Sequence, residues 1–180
     1  LYCKYANSIR CNQNKNKKVN FKMETINFVD LKKQYSLIEN EVNESLASIL
    51  KSGQFILGPV VEEAEKALSK YTGAKHTISV SSGTDALFVS LLSLKVGPGS
   101  KVFIPAFTYT ATAEVIALLG AEPVFVDVDE DTYNISYIDL IAKIDKYKKS
   151  ELSDSAIIAV DLFGMPADYD DIREIASKYG

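Results

Sequence analysis

From Asp30 onward the apolar positions Leu31, Tyr35, Ile38, Val42, Leu46 and Ile49 recur at spacings of three and four. That period places them on one face of a helix, capped by Asp30 and stopped by Gly53. In "FILGPVVEEAEKALSKYTG", Pro59 sits at a second helix start. Val61, Ala64, Leu68 and Tyr71 share a face, and Gly73 is the stop. After Gly73 the pattern changes. Strand-like runs ("HTISV", "KVFIP", "PVFVDV", "AIIAV") alternate with helices predicted from Asp85 to Leu94, from about Tyr109 to Leu119, from Ser136, and from about Asp168 to Tyr179.

Alternating strands and helices with continuously apolar strands predict an α/β fold, a parallel sheet covered on both faces by helices. The helices from Asp85 and Tyr109 are apolar almost all round, which suits deep burial or a subunit interface. Ser136 and Asp139 form an S-x-x-D start signal. Ile172, Ile175, Ala176 and Tyr179 give the last helix an inward face. The series stops at Gly180 just after a helix, where a further strand is expected, so the fold is expected to be cut within a domain. There is no internal repeat.

Composition changes this picture mainly at the N-terminus. The 180 residues carry a formal charge of −4, but residues 1–22 hold Lys4, Arg10, Lys15, Lys17, Lys18 and Lys22 and no acid, which leaves about −10 for the rest. The prefix is Asn- and Lys-rich, has no apolar period and is followed directly by Met23. It reads as disordered, or as sequence upstream of a start at Met23. A basic tail can also bind nucleic acid or an acidic membrane, and that reading is set aside. No segment is apolar enough for a signal peptide or a membrane span. Cys3 and Cys11, the two cysteines, both lie in the prefix. The rest of the chain therefore has no thiolate metal site or disulfide, which fits a cytoplasmic setting. The single His76 enters a predicted strand, and one histidine makes no metal cluster.

The candidate chemistry lies where strands end. Open α/β sheets bind ligands at the carboxyl ends of their strands. "SSGTDAL" turns a strand-like run into a helix opening at Gly83 or Thr84. Unpaired N–H groups there point at that edge with partial positive charge behind them. Gly83 admits close approach, and Ser81, Ser82 and Thr84 add hydroxyls, a combination that suits a phosphate. An ordinary helix cap with no ligand reads the same residues equally well. The dinucleotide pattern G-x-G-x-x-G is absent, "VGPGS" lies in the wrong context, and there is no Walker A loop. Tyr109, just past "KVFIP", could stack on a planar ligand or could be a core aromatic. The acidic stretch "VDVDEDTYNI" resembles a calcium loop only loosely and reads better as a solvated turn. "VDLFGMPADYD" sets Asp161 at a strand end.

Taken in order, "FVDLKKQY", "GQFILGPVVEEAEKAL", "SSGTDAL", "VFIPAFTYTATAEVIALLGAEPVFVDVDEDTYNI" and "VDLFGMPADYDDI" resemble the DegT/DnrJ/EryC1/StrS family, from about Ile26 to Gly180. The likeness is greatest to the branch that aminates the 3-keto group of nucleotide-linked N-acetylglucosaminuronic acid. The resemblance implies the N-terminal part of the large domain of a fold-type-I transferase that uses pyridoxal phosphate (PLP). The organisation would be a prefix over 1–22, a helical arm over 23–57 and an incomplete cofactor domain over 58–180.

Carried over by position, the resemblance assigns Ser82, Gly83 and Thr84 to the cofactor phosphate and Tyr109 to the face of its ring. Phe107 and Thr108 would shape that wall, and Gly58 and Pro59 a loop at the mouth of the site. Asp161 stands where relatives often have His and receives no role. The family's Schiff-base lysine and the acid pairing with the ring nitrogen would lie beyond Gly180. Lys75, Lys95 and Lys101 are poor substitutes, so the chain alone is expected to be inactive. The implied reaction is amino transfer, from glutamate, to the keto group of a nucleotide-linked sugar by a homodimer, for surface polysaccharide or a glycosylated metabolite. A sugar dehydratase of the same family, with His in place of the lysine, and a non-catalytic binding fragment are the alternatives.

Overall fold

The computed structural model describes residues 27–179, so the prefix and both cysteines lie outside the described residues. The described residues divide into two compact units, one up to Val60 and one from Val61.

In the first unit, α1 (Leu31–Ser52) begins as its sequence predicts. The Asp30 carboxylate accepts the Lys33 N–H at 3.0 Å, satisfying one of the orphan donors of the first turn. Gly53 ends the helix in the left-handed region (φ 67°) and donates its N–H to the Ile49 carbonyl at 3.1 Å. The apolar stripe forms, but no residue of α1 is buried.

The helix α2 (Pro59–Thr72) likewise starts at its proline and has no buried residue, so the predicted face of Val61, Ala64, Leu68 and Tyr71 is not a core face here. The second unit is built on a parallel sheet. β1 (Lys101–Pro105) is central, β2 (Glu122–Val126) pairs on one side along its full length, and β3 (Ala156–Ile157) pairs on the other. Residues 102–105 of β1 are buried, which explains their unbroken apolar run. One face of the sheet packs with α3 (Gly83–Ser93) and α4 (Ala111–Leu118) around Leu91, Ile104, Val115 and Ile116. A second cluster gathers Phe103, Val126, Ile135 and Leu140 with α5 (Tyr137–Ile144) and α6 (Tyr169–Tyr179).

Two expectations are corrected, the strand at 76–80 and the inward place of Ala176. The run 76–80 has no regular secondary structure and is not a strand. No described strand pairs with it, and the Ser79 N–H donates to Glu65 Oε1 at 2.7 Å instead. Alternation and β-branching favour a strand, but only a partner supplies the ladder. Ser136 caps α5, accepting from the Asp139 N–H, yet the Asp139 carboxylate does not return to the cap. It accepts the Asp127 N–H at 2.7 Å and pairs with Lys143 at 3.1 Å. On α6, Ile172 and Ile175 are buried but Ala176 is exposed. α3 and α4 are also covered on one side only, with Val89, Leu92, Leu94 and Leu118 exposed.

Candidate cofactor edge

The helices α3 and α4 pack on one another, and α4 is the crossover that leads from the end of β1 back to the start of the parallel strand β2. Gly120, just after α4, approaches Pro98 in the segment between α3 and β1, so the two helices end close to one another. Ser82, Gly83 and Thr84 open α3, and Tyr109 precedes α4 by two residues. Tyr109 thus follows the carboxyl end of β1, while Ser82, Gly83 and Thr84 lie at the end of α3 away from the segment that leads into β1.

At the turn, the Ser82 hydroxyl oxygen accepts the Asp85 N–H at 3.1 Å, and the Ser82 carbonyl accepts the Ala86 N–H at 3.0 Å. The N–H groups of Gly83 and Thr84 have no acceptor among the described residues. The Ser82 hydroxyl proton is also free to be donated. Ser81 donates its hydroxyl to the Asp85 carboxylate, which engages the one nearby negative charge. A Cβ built on Gly83 meets nothing within 4 Å, and its φ lies outside the region that requires glycine. Neither packing nor backbone explains the glycine, whereas a ligand seated against the backbone does. The donor set and the open space fit a phosphate group.

Tyr109 is 76 % exposed, so it is not a core aromatic, and Thr108 behind it is half-buried. Gly58 belongs to the first unit. A Cβ there would lie 2.6 Å from the Gln54 carbonyl oxygen, so local packing alone already demands glycine at that position.

Two features of this edge escaped sequence reasoning. The rings of Phe107, Tyr133 and Phe163 cluster, with centroids 5.9 Å apart for Phe107–Tyr133, 6.4 Å for Phe107–Phe163 and 5.9 Å for Tyr133–Phe163. They come from the three loops that follow β1, β2 and β3. Phe163 has φ 56° and ψ 17°, a left-handed backbone that costs a non-glycine residue about 1 kcal/mol. Three side chains hold its loop. Asp161 Oδ1 accepts the Ala167 N–H at 3.0 Å and the Tyr169 hydroxyl at 2.8 Å. Asn134, 6 % exposed, donates Nδ2 to the carbonyls of Met165 at 3.3 Å and Pro166 at 3.0 Å. Tyr137 engages both backbone groups of Asp168. An aromatic followed by glycine after a strand-end acid was the available signal, but its partners lie far away in sequence.

The acidic stretch closes on itself. Asp129 Oδ1 accepts from the N–H groups of Asp131 and Thr132 and from the Thr132 hydroxyl. Those bonds, chiefly the one from the Thr132 backbone, hold its carboxyl below the usual range. Among the described residues no group of three or more His, Cys, Asp or Glu could hold a metal ion. Lys101 pairs with Glu122 at the amino end of β1, away from the edge that carries the turn.

Known proteins resemble this chain in sequence and fold. A UDP-2-acetamido-2-deoxy-3-oxo-D-glucuronate aminotransferase of Pseudomonas aeruginosa is 48% identical over 155 residues, which is 86% of this chain and 42% of the relative. A DegT DnrJ EryC1 StrS aminotransferase structure from Brucella abortus is 47% identical, with a TM-score of 0.81 over 87% of this chain and 42% of that one. A Streptococcus pneumoniae structure in its PLP form is 38% identical, with a TM-score of 0.69 over 78% of this chain and 34% of that one. The chain therefore spans less than half the length of these relatives. Its α/β arrangement agrees with the corresponding part of a fold-type-I PLP-dependent transferase. The family model of the DegT/DnrJ/EryC1/StrS aminotransferases matches residues 36–180, and the chain belongs to that family.

Proposed function

We propose that this chain supplies the phosphate-holding edge of an aminotransferase that moves an amino group, from glutamate, onto the keto group of a nucleotide-linked sugar. The activity is that of the whole protein, since the chain spans 42% of the Pseudomonas aeruginosa relative's length. The observation that carries the reading is Gly83, open above its Cα, between two unpaired N–H groups at the start of an 11-residue helix. The substrate class is supported by the relatives' names: one acts on a UDP-linked 3-oxo-glucuronate and another, 38% identical, on UDP-N-acetyl-3-dehydro-alpha-D-glucosamine.

When bound, the cofactor supplies an electron sink and a carrier for the amino group. The chain's own residues bind and orient it. The N–H groups of Gly83 and Thr84 and the hydroxyls of Ser82 and Thr84 donate to its phosphate, backed by the helix dipole. Tyr109 covers a ring face, with Phe107 and Thr108 as the adjoining wall. The groups that would hold the cofactor covalently and pair with its ring nitrogen are assigned outside these 180 residues. The exposed apolar residues of α3 and α4 support assembly as a homodimer. We place the reaction in the cytoplasm, with its product going to surface polysaccharide or a glycosylated metabolite.

The test compares PLP with pyridoxal, which lacks the phosphate, by titration of the chain. PLP binds more tightly, and Gly83→Val and Thr84→Val erase the difference. Equal binding of the two compounds to the unaltered chain would overturn the reading. Amino transfer from glutamate to a UDP-linked 3-keto sugar by the whole protein tests the reaction itself.

A further inference from the structure

The three-ring cluster shares only Phe107 with the wall assigned to the cofactor. Phe107, Tyr133 and Phe163 are 51, 46 and 80 % exposed, so apolar collapse alone does not explain their gathering. Both Tyr133 and Phe163 have a left-handed backbone, and Asp161, Asn134 and Tyr137 tie down residues 165–168 that follow Phe163. Residues kept in unfavourable conformations by over-determined surroundings concentrate at ligand clamps.

The charge around the rings narrows the ligand. The loops after the three strands, residues 106–110, 127–136 and 160–168, contain six acids and no Lys or Arg. A diphosphate is repelled there. A polyhydroxylated ring is not: its C–H face lies on aromatic rings and its hydroxyls donate to carboxylates. Asp161 Oδ2 has no partner among the described residues.

We propose that Phe107, Tyr133 and Phe163 form the surface that receives the pyranose ring of the sugar substrate, with Asp161 accepting a sugar hydroxyl. This rests on the aminotransferase reading and adds to it that the sugar, not the nucleotide, meets this edge.

The experiment is saturation-transfer NMR on the 180-residue chain, with UDP-N-acetylglucosamine and UDP alone as probes. Sugar-ring protons should receive saturation, and UDP alone should receive little. Phe163→Leu and Phe107→Leu keep apolar bulk and remove only the ring, so the fold survives. Each should cut the sugar signal about fivefold, the size of one aromatic contact. Saturation centred on the uracil protons would overturn the proposal, as would no saturation or a signal indifferent to both variants. The PLP and pyridoxal comparison on the same samples separates the two readings. If the phosphate dependence survives and the sugar signal fails, only the sugar surface falls. If the sugar signal stands without phosphate dependence, the cofactor reading falls and the sugar surface is upheld.

Discussion

The hydroxyl of Tyr137 accepts the backbone N–H of Asp168 at 2.9 Å and donates to the carbonyl of the same residue at 3.3 Å. One side chain thus satisfies both polar groups of a residue 31 positions away and fixes the start of α6 against α5. Burial, the largest cause, pushes the Tyr137 hydroxyl above its usual pKa, so it stays protonated and able to donate.

Tyr137→Phe should therefore destabilise the second unit by about 1 kcal/mol, since two backbone groups lose their partner at once. Urea unfolding reads this as a lower midpoint with an unchanged slope. An unchanged midpoint would mean that water replaces the hydroxyl without loss.

Gly83→Ala should separate stability from binding. The backbone there is compatible with alanine and a Cβ meets nothing, so the substitution should stabilise by about 0.5 kcal/mol through the unfolded chain. The same methyl occupies the space above the unpaired N–H groups and should weaken PLP binding. Thermal melts and the cofactor titration should move in opposite directions.

Tyr109→Ala should lower PLP affinity about fivefold, the loss of one stacked ring. Because the side chain is 76 % exposed, unfolding should barely change. A large drop in stability would instead assign Tyr109 to packing.

Asp139 ties the end of β2 to α5. Its carboxyl is held below its ordinary value of 3.8, first by the Asp127 N–H and then by Lys143. A carboxyl depressed on folding contributes stability that is present above its unfolded pKa and is lost as pH falls through the folded value. This contribution should therefore disappear below about pH 3.8. Asp139→Asn should cost about 1 kcal/mol at pH 7 and flatten that acid limb. Denaturation midpoints measured from pH 2 to 7 check both effects.

Ile104, fully buried in the central strand, marks the core. Ile104→Ala should cost about 3 kcal/mol through lost transfer energy and a residual cavity. Ile138→Ala, at an exposed position of α5, should cost far less. Similar midpoints for the two variants would contradict the packing described for β1.

Features set by residues a few positions apart are legible in the sequence. Asp30 and Gly53 bound α1, Ser82 and Ser136 cap their helices, Pro59 opens α2, and the apolar run at 101–105 is a buried strand. Each depends on a cap, a stop or a period that closes within one or two turns, so the local chain alone determines it. The turn at Ser82–Thr84 belongs to the same class. The sequence by itself determined the alternating order of helices and parallel strands.

Tertiary structure decided what needs a distant partner. Residues 76–80 have the composition of a strand, but no described neighbour strand bonds to them. The stripes of α1 and α2 have the right period, and nothing within the described units buries them. Phe107, Tyr133 and Phe163 meet although they are separated in sequence by 26 and 30 residues, because three parallel strands end at one edge. Periodicity reports which way a side chain faces. Only the packed chain decides what it faces, because long-range contacts are chosen by burial and pairing summed over the whole fold.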